Sequence, residues 1–217
     1  MKTAILFGAT GLVGKHLLDL LLDNHDYTKI KIFTRNAIQN NHHKIVIYNI
    51  NFNEIDKYTN DINGDDCFFA IGTTRKLTPK KEEYINTELN LPVKIANIAK
   101  ANNITSFTYV SSGGANADSN NLYLQNKGRA EKEIIKLSFK FTAIIQPSLL
   151  LGSRKENRIG ERVAKFIFGK ISFIFVGKLR AFKAIHAKKV AKAIMIINKN
   201  KLKDLYFKSD KLEDLST

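Results

Sequence analysis

Short apolar runs alternate with helical patterns along most of the chain. Six runs are rich in β-branched and aromatic residues and are bounded by glycine, proline or polar residues, which is typical of strands. They cover residues 2–7, 29–34, 44–48, 66–71, 107–110 and 141–146. Between them, apolar residues recur at helical spacing after Gly14 and over residues 82–102 and 121–137. This alternation predicts an α/β fold, a doubly wound parallel sheet with helices on both faces and right-handed crossovers.

The pattern changes after residue 152. A basic amphipathic helix is predicted over 159–168, followed by an aromatic-rich stretch that ends near Phe182 and a helix over 187–197. At 217 residues the chain is long enough for one domain with a substantial core. We therefore expect a single domain over 1–217, with a dinucleotide-binding core over 1–152 and a small substrate-side and C-terminal segment over 153–217.

A glycine turn follows the first predicted strand. Gly8, Gly11 and Gly14 are spaced three residues apart and lead into the first helical pattern. In a Rossmann fold the first glycine permits the tight turn, the second lets the backbone approach a pyrophosphate, and the third lets the helix pack close to the strand. The free N–H groups of the helix N-terminus complete an anion site. Dinucleotide binding is therefore predicted at Gly8, Thr10, Gly11, Leu12, Val13 and Gly14.

The end of the second strand indicates which dinucleotide is preferred. NAD-binding folds usually place Asp or Glu there, where the carboxylate accepts hydrogen bonds from the ribose and repels a 2′-phosphate. Here the strand ends in Thr34 and Arg35, with no carboxylate. Arg35 can pair with a phosphate and Thr34 can donate a hydroxyl. The sequence therefore favours NADP(H) over NAD(H).

Tyr123 and Lys127 carry the candidate chemistry. They lie four residues apart on a predicted helix and so share one face. An ammonium group stabilises a nearby phenolate and lowers the pKa of the phenol, which lets the pair exchange a proton with a carbonyl or alcohol oxygen. Ser111 and Ser112 follow the fifth strand and could hydrogen-bond the same oxygen. All four residues are candidate catalytic groups, and Tyr123 and Lys127 are also expected at the cofactor.

Three segments together carry a family resemblance. The sequences Gly8-Ala9-Thr10-Gly11-Leu12-Val13-Gly14, Val110-Ser111-Ser112 and Tyr123-Leu124-Gln125-Asn126-Lys127-Gly128 resemble the atypical, extended-type short-chain dehydrogenase/reductases, and within them the Tat-interacting-protein-like oxidoreductases. The resemblance extends to about residue 197 and includes Arg158, Gly160 and Glu161. It implies NADP(H), a Ser–Tyr–Lys triad, a sheet of about seven strands, and cofactor contacts from Gly72, Thr73, Pro147, Ser148, Leu149 and Leu150.

The residue before Pro147 and the serine pair after the fifth strand leave questions open within this resemblance. Gln146 departs from the family pattern, which usually has Arg before Pro147. Ser112 matches the usual position of the catalytic serine at this strand end. The number of residues between Ser111 and Tyr123, however, is closer to the spacing that is usual in the family. Both serines stay candidates, and the position at the strand end favours Ser112 slightly.

Composition limits the other function classes. The net charge of +15 would suit nucleic acid or anionic lipid, but lysines are scattered and no aromatic-interleaved basic motif occurs, so nucleic acid is not expected as the primary partner. No apolar run is long enough for a transmembrane span. His42 and His43 lack a third ligand, so no metal is expected. Met1 leads directly into a strand and Cys67 is the only cysteine, which favours a cytoplasmic protein without a signal peptide.

The expected function is NADP(H)-dependent reduction of a small or apolar carbonyl compound by a monomer or homodimer. A cofactor-sensing or regulatory protein with a vestigial triad is the first alternative, which the intact Tyr123 and Lys127 pair disfavours. A nucleotide-sugar epimerase or dehydratase is the second, which the short segment after Gly152 disfavours. The fold alone does not separate these three.

Overall fold

The structure is a computed structural model and describes residues 1–152 and 183–217. The helix expected over 159–168, the aromatic-rich stretch and the family positions Arg158, Gly160 and Glu161 lie outside the described residues.

Seven strands form one parallel sheet in the described part of the chain. The sheet order is β3-β2-β1-β4-β5-β6-β9, and every neighbouring pair is parallel. A separate two-stranded pair joins β7 to β8. The strands are β1 Lys2–Phe7, β2 Tyr27–Thr34, β3 Ile45–Asn49, β4 Asp66–Phe69, β5 Ser106–Val110, β6 Phe141–Gln146, β7 Leu150–Leu151, β8 Ile185–His186 and β9 Tyr206–Lys208. The predicted α/β class and doubly wound parallel sheet are confirmed.

Helices cover both faces of this sheet. They are α1 Leu12–Asp23, α2 Lys81–Ile85, α3 Leu91–Ala101, α4 Leu122–Lys136, α5 Ala187–Asn200 and α6 Ser209–Leu215, with a 3-10 helix over Phe52–Tyr58. On one face α1 and α5 pack together over the apolar side chains of β1 and β2. On the other face α3 and α4 bury a second core that includes Phe7, Phe33 and Phe69. Each strand of the middle of the sheet is therefore buried on both sides, which explains why its sequence is almost wholly apolar.

The helical pattern over 82–102 is divided in the structure. A π-helical turn over Asn86–Asn90 separates α2 from α3, and Pro92 lies in the first turn of α3. Proline has no N–H to donate to the carbonyl four residues earlier, which here belongs to Glu88, and its ring crowds that carbonyl. The helix widens at this point, which places Glu88 on the buried side of the segment.

Residues 187–217 complete the sheet itself. Helix α5 lies against α1, and β9 pairs with β6 at the sheet edge. The hydrophobic pattern predicted α5 but not β9, because three residues with one buried side chain, Phe207, carry little periodicity.

Candidate active site

A cavity of about 660 Å³ opens at the carboxyl ends of β1, β4 and β5. Ligands of open α/β sheets bind at this edge. Most sequence-predicted site residues line it, and so do several that the sequence did not single out. The lining residues are Gly8, Thr10, Gly11, Leu12, Val13, Phe33, Thr34, Arg35, Asn36, Phe52, Ala70, Ile71, Gly72, Thr73, Thr74, Val110, Ser111, Ser112, Gly113, Tyr123, Lys127, Ser148, Leu149 and Leu150.

The three glycines of the turn have different structural roles. Gly8 has a φ of +90°, and a Cβ there would lie 2.6 Å from the carbonyl oxygen of Ala70. A Cβ on Gly14 would lie 1.9 Å from the carbonyl oxygen of Gly8, so only glycine lets α1 approach β1 this closely. Gly11 is looser, since its Cβ would lie 3.2 Å from the same oxygen. Gly14 therefore sets the position of the helix from below the cavity, while Gly8 and Gly11 line it.

The N-terminus of α1 fits a pyrophosphate. Gly11 is the N-cap and supplies no side-chain hydrogen bond, and the first turn contains no acidic residue. The N–H groups of Leu12 and Val13 therefore have no carboxylate or hydroxyl cap, and both residues line the cavity. Free N–H groups and the positive end of the helix dipole favour an anion at this point.

Arg35 and Thr34 differ in their availability to a ligand. Arg35 is exposed at the cavity rim. The Thr34 hydroxyl is buried and already donates to the carbonyl oxygen of Asn36 at 3.0 Å, while the Asn36 N–H donates back to it. Thr34 therefore shapes the turn after β2 rather than presenting a free hydroxyl. No Asp or Glu of the described residues lines the cavity.

Lys127 and Tyr123 project from the first turns of α4, which Asn121 caps by accepting hydrogen bonds from two backbone N–H groups. Lys127 is buried, and its Nζ lies 3.0 Å from Glu88 Oε2 and 3.3 Å from the carbonyl oxygen of Val110. It also lies 4.9 Å from the centroid of the Tyr109 ring. Burial alone would lower the pKa of Lys127, but interactions with Tyr109, Glu88 and Tyr123 raise it well above its usual value. The ion pair with Glu88 thus favours the charged form of Lys127, which lines the same cavity as the half-buried Tyr123.

The two candidate serines have different surroundings. Ser111 is buried, and its hydroxyl donates to Glu131 Oε1. Gln146 Nε2 donates to both oxygens of the same carboxylate, at 3.0 and 3.1 Å. Ser112 is half-buried, and its hydroxyl makes only a long 3.4 Å contact with the carbonyl oxygen of Gly113. Both line the cavity, but only Ser112 keeps its hydroxyl free of a carboxylate.

Glu131 is the hydrogen-bonding partner of Gln146, the residue that departs from the family pattern. An amide at position 146 keeps hydrogen bonds to the carboxylate but supplies no positive charge, and burial raises the pKa of Glu131. Glu131 was open to prediction from the sequence, because Tyr123, Lys127 and Glu131 recur every four residues on one helix face.

The loop after β6 supplies the remaining expected contacts. Ser148, Leu149 and Leu150 line the cavity, whereas Pro147 does not. The carbonyl oxygen of Pro147 accepts the Gly113 N–H at 2.7 Å, so it joins the ends of β6 and β5 beneath the site. Gly72 and Thr73 line the opposite wall.

The weaker candidates lie away from the cavity. The His42 and His43 rings stack on each other at 4.4 Å, and no cluster of three or more His, Cys, Asp or Glu side chains in residues 1–152 and 183–217 could hold a metal ion. Cys67 is buried in the core, and burial raises the pKa of its thiol. No helix in these same ranges is long and apolar enough to cross a membrane.

Comparisons with known proteins identify the family of the chain. The family model described as NAD(P)H-binding matches residues 8–179. Protein HTATIP2 of Rattus norvegicus is 31% identical over 177 residues, covering 78% of this chain and 72% of the relative. The protein named FMP52-1, mitochondrial, of Scheffersomyces stipitis is 32% identical over 177 residues, covering 77% of this chain and 77% of the relative. The mitochondrial name of the latter leaves the cytoplasmic location a prediction.

Solved structures share the fold at low identity. A UDP-N-acetylglucosamine 4-epimerase from Methanobrevibacter ruminantium, in complex with UDP-N-acetylmuramic acid, superposes with a TM-score of 0.71 at 16% identity, over 94% of this chain and 74% of its own. The Bordetella bronchiseptica enzyme WbmH, in complex with NAD+, gives 0.65 at 16% identity, over 90% and 71%. With these relatives, the glycine turn and the Tyr123–Lys127 helix, the chain belongs to the NAD(P)H-binding family and, within it, to the atypical short-chain dehydrogenase/reductases related to HTATIP2 and FMP52.

Proposed function

We propose that this protein binds NADP(H) and reduces a small or apolar carbonyl compound, with Tyr123 as the proton donor. The observation that carries the proposal is one cavity, whose lining includes Gly8 and Gly11 of the glycine turn together with Arg35, Ser112, Tyr123 and Lys127. When bound, the reduced dinucleotide supplies a hydride to the carbonyl carbon.

The residues of this chain would divide the remaining work. The N-terminus of α1 binds the pyrophosphate, and Arg35 pairs with the 2′-phosphate. Ser112 donates a hydrogen bond to the carbonyl oxygen, Tyr123 transfers its proton to that oxygen, and Lys127 stabilises the phenolate that is left.

The preference for NADP(H) rests on charge. Arg35 is exposed at the rim, and the described residues that line the cavity include two cations, Arg35 and Lys127, and no carboxylate. A 2′-phosphate therefore meets attraction rather than repulsion at this end of the cavity. Apolar side chains at the other end, such as Val110, Leu149 and Leu150, favour a substrate with little polar surface.

The test is a pair of measurements on the unmodified protein. Calorimetric titration with NADPH and NADH should show tighter binding of NADPH, and NADPH oxidation against medium-chain aldehydes, diketones and quinones should identify a reducible class. Tight NADPH binding without reduction across the panel would favour the cofactor-sensing alternative. Binding of neither dinucleotide would contradict the proposal altogether.

A further inference from the structure

Glu88 is a buried carboxylate that touches the candidate site from outside it. Its side chain and that of Lys127 are 0% and 3% exposed, and their charged atoms lie 3.0 Å apart. Its other oxygen, Oε1, accepts the backbone N–H of Thr73, which lines the cavity. Glu88 therefore connects two walls of the cavity, the loop after β4 and helix α4.

The chain shows two local adaptations around this ion pair. Glu88 comes from the π-helical turn before Pro92, a type of irregularity that is concentrated at functional sites. At Gly72, a Cβ would lie 3.7 Å from Glu88 Oε1 and 4.0 Å from Lys127 Nζ. Because Gly72 has no side chain, nothing from that position separates the ion pair from the space of the cavity.

The charge balance of this cluster determines how well Lys127 can stabilise a phenolate. A lone ammonium beside Tyr123 favours loss of the phenol proton, whereas an ammonium neutralised by a carboxylate favours it much less. The described ionisable groups that face Tyr123 and Lys127 are Glu88, Tyr84, Tyr109 and Glu131, with Arg75 packed over the Tyr84 ring. Burial raises the pKa of both Tyr84 and Tyr109 to about 12, so neither supplies a charge at neutral pH.

We propose that Glu88 is a positioning residue of the site: it holds Lys127 in a buried ion pair, offsets the positive charge that Lys127 presents to Tyr123, and so disposes the site to carbonyl reduction rather than alcohol oxidation. The inference rests on the proposed function. In the reduction the Tyr123 O–H bond breaks, its proton goes to the substrate oxygen, and the phenolate remains beside Lys127, while the reduced dinucleotide is the reductant. The oxidation needs the phenolate at the start and is favoured when the proton is lost early.

The direct test is the ionisation of Tyr123 in the protein without dinucleotide. Ultraviolet difference absorbance reports phenolate formation, and the curve of a Tyr123→Phe variant, subtracted in each background, isolates Tyr123 from the other tyrosines. In Glu88→Gln we expect Tyr123 to lose its proton about 1 pH unit lower. Glu83→Gln, the same change at an exposed residue of α2, should leave the curve unchanged.

A conservative variant keeps the test decisive if Glu88→Gln does not fold. Glu88→Asp keeps the charge but moves it away from Lys127 by one methylene. The Tyr123 titration in this variant should therefore fall between those of the unmodified protein and Glu88→Gln. An unshifted Tyr123 titration in folded Glu88→Gln, or in Glu88→Asp if only that variant folds, overturns the proposal. The same is true of a variant that loses activity equally at every pH, because a merely structural role would behave in that way.

The activity measurement separates this inference from the proposed function. Reduction by Glu88→Gln should fail at a pH about 1 unit lower than in the unmodified protein, and alcohol oxidation should begin about 1 unit lower. If no substrate is reduced but the spectroscopic shift occurs, the role of Glu88 stands and the proposed reaction is wrong. If reduction occurs without any shift, the proposed reaction stands and the role of Glu88 is wrong.

Discussion

Two buried carboxylates lie at opposite ends of the same sheet, and their surroundings differ. Asp66 begins β4, and its oxygens meet the Tyr27 hydroxyl at 2.9 Å, Lys2 at 3.2 Å and Lys201 at 2.8 Å. Glu88 lies near the other end of the sheet and meets Lys127 and the Thr73 N–H. Each carboxylate therefore has lysine and hydrogen-bonding partners, but only the Glu88 cluster adjoins the cavity.

The exposure of the lysines explains what each cluster does. The side chains of Lys2 and Lys201 are 42% and 38% exposed, so water solvates the cations that hold Asp66. Lys127 is almost fully buried, and a buried ion pair adds little net stability because both ions lose their hydration. We therefore expect the Asp66 cluster to serve the stability of the fold, and the Glu88 cluster to act, as proposed above, on the chemistry of the cavity.

The largest expected effects come from two tyrosines, Tyr123 in the cavity and Tyr27 in the Asp66 cluster. Tyr123→Phe should lower carbonyl reduction by about 10²–10⁴-fold, the usual contribution of a general acid, and leave the free energy of unfolding nearly unchanged. Tyr27→Phe should leave activity per folded molecule unchanged but lower the free energy of unfolding by about 2 kcal/mol, because it removes a hydrogen bond to a charged group. Steady-state kinetics and urea unfolding on both variants test this. Loss of stability in the first or of turnover in the second would abolish the distinction.

Removal of the Asp66 carboxylate should produce the next largest effect. Asp66→Asn should lower the free energy of unfolding by about 1.5 kcal/mol at neutral pH, because the Tyr27 hydroxyl and the partly exposed Lys201 and Lys2 lose a charged hydrogen-bond acceptor. Burial would raise the pKa of Asp66, but Lys201, Tyr27 and Lys2 outweigh it and hold that pKa below its usual value. The stabilisation is therefore complete above about pH 4 and is lost as the pH falls below that. Urea unfolding should show that the free energies of unfolding of Asp66→Asn and the unmodified protein differ less at pH 3 than at pH 7. An equal difference at both pH values would exclude the charge of Asp66 as its cause.

Arg35 allows a test of cofactor preference at the cavity end of the sheet. Arg35→Asp replaces a phosphate-binding cation by a repelling carboxylate, so the ratio of NADPH to NADH affinity should fall by about tenfold or more, equivalent to about 1.4 kcal/mol. Arg129→Asp makes the same charge change at an exposed residue of α4 that does not line the cavity, and it should leave the ratio unchanged. Equal effects of the two variants in a titration by nicotinamide fluorescence would remove Arg35 from the site.

The smallest effect is expected at Glu131. Burial raises its pKa in the folded protein, so the folded state binds more protons than the unfolded state above about pH 4.3. Stability should therefore decline as the pH rises from there through the folded pKa. Glu131→Gln should abolish this part of the decline, whereas Glu133→Gln, an exposed residue of the same helix, should not. Thermal unfolding between pH 4 and pH 7 measures the slopes, and equal slopes in all three proteins would contradict the assignment.

The sequence was most informative where a short stretch determines its own structure. Strands β1 and β6 begin and end at the predicted residues, since each is a buried run ended by Gly8 or Pro147. The glycine turn was also predictable, because the spacing of Gly8, Gly11 and Gly14 reflects contacts made within the same few residues. Tyr123 and Lys127 share a helix face for the same local reason.

The sequence was less informative where partners lie far apart along the chain. Glu88 meets Lys127 only through tertiary packing, and the π-helical turn that orients it follows from Pro92. One signal was available, since Glu88 lies three residues after Ile85 and three before Leu91 on the apolar side of a helical pattern. The use of the Thr34 hydroxyl by Asn36 had no such signal, because it depends on how the chain turns after β2.

The packing of α1 against α5 has a consequence for synthesis of the protein. The glycine turn is synthesised well before α5, yet Leu17 and Leu21 of α1 share one core with Val190 and Ile194 of α5. Contacts between distant parts of a chain form late, and uncovered apolar faces aggregate or recruit chaperones. A chain interrupted before residue 187 would therefore be an aggregation-prone fragment rather than a smaller dinucleotide-binding protein, even though it contained every described residue that lines the cavity.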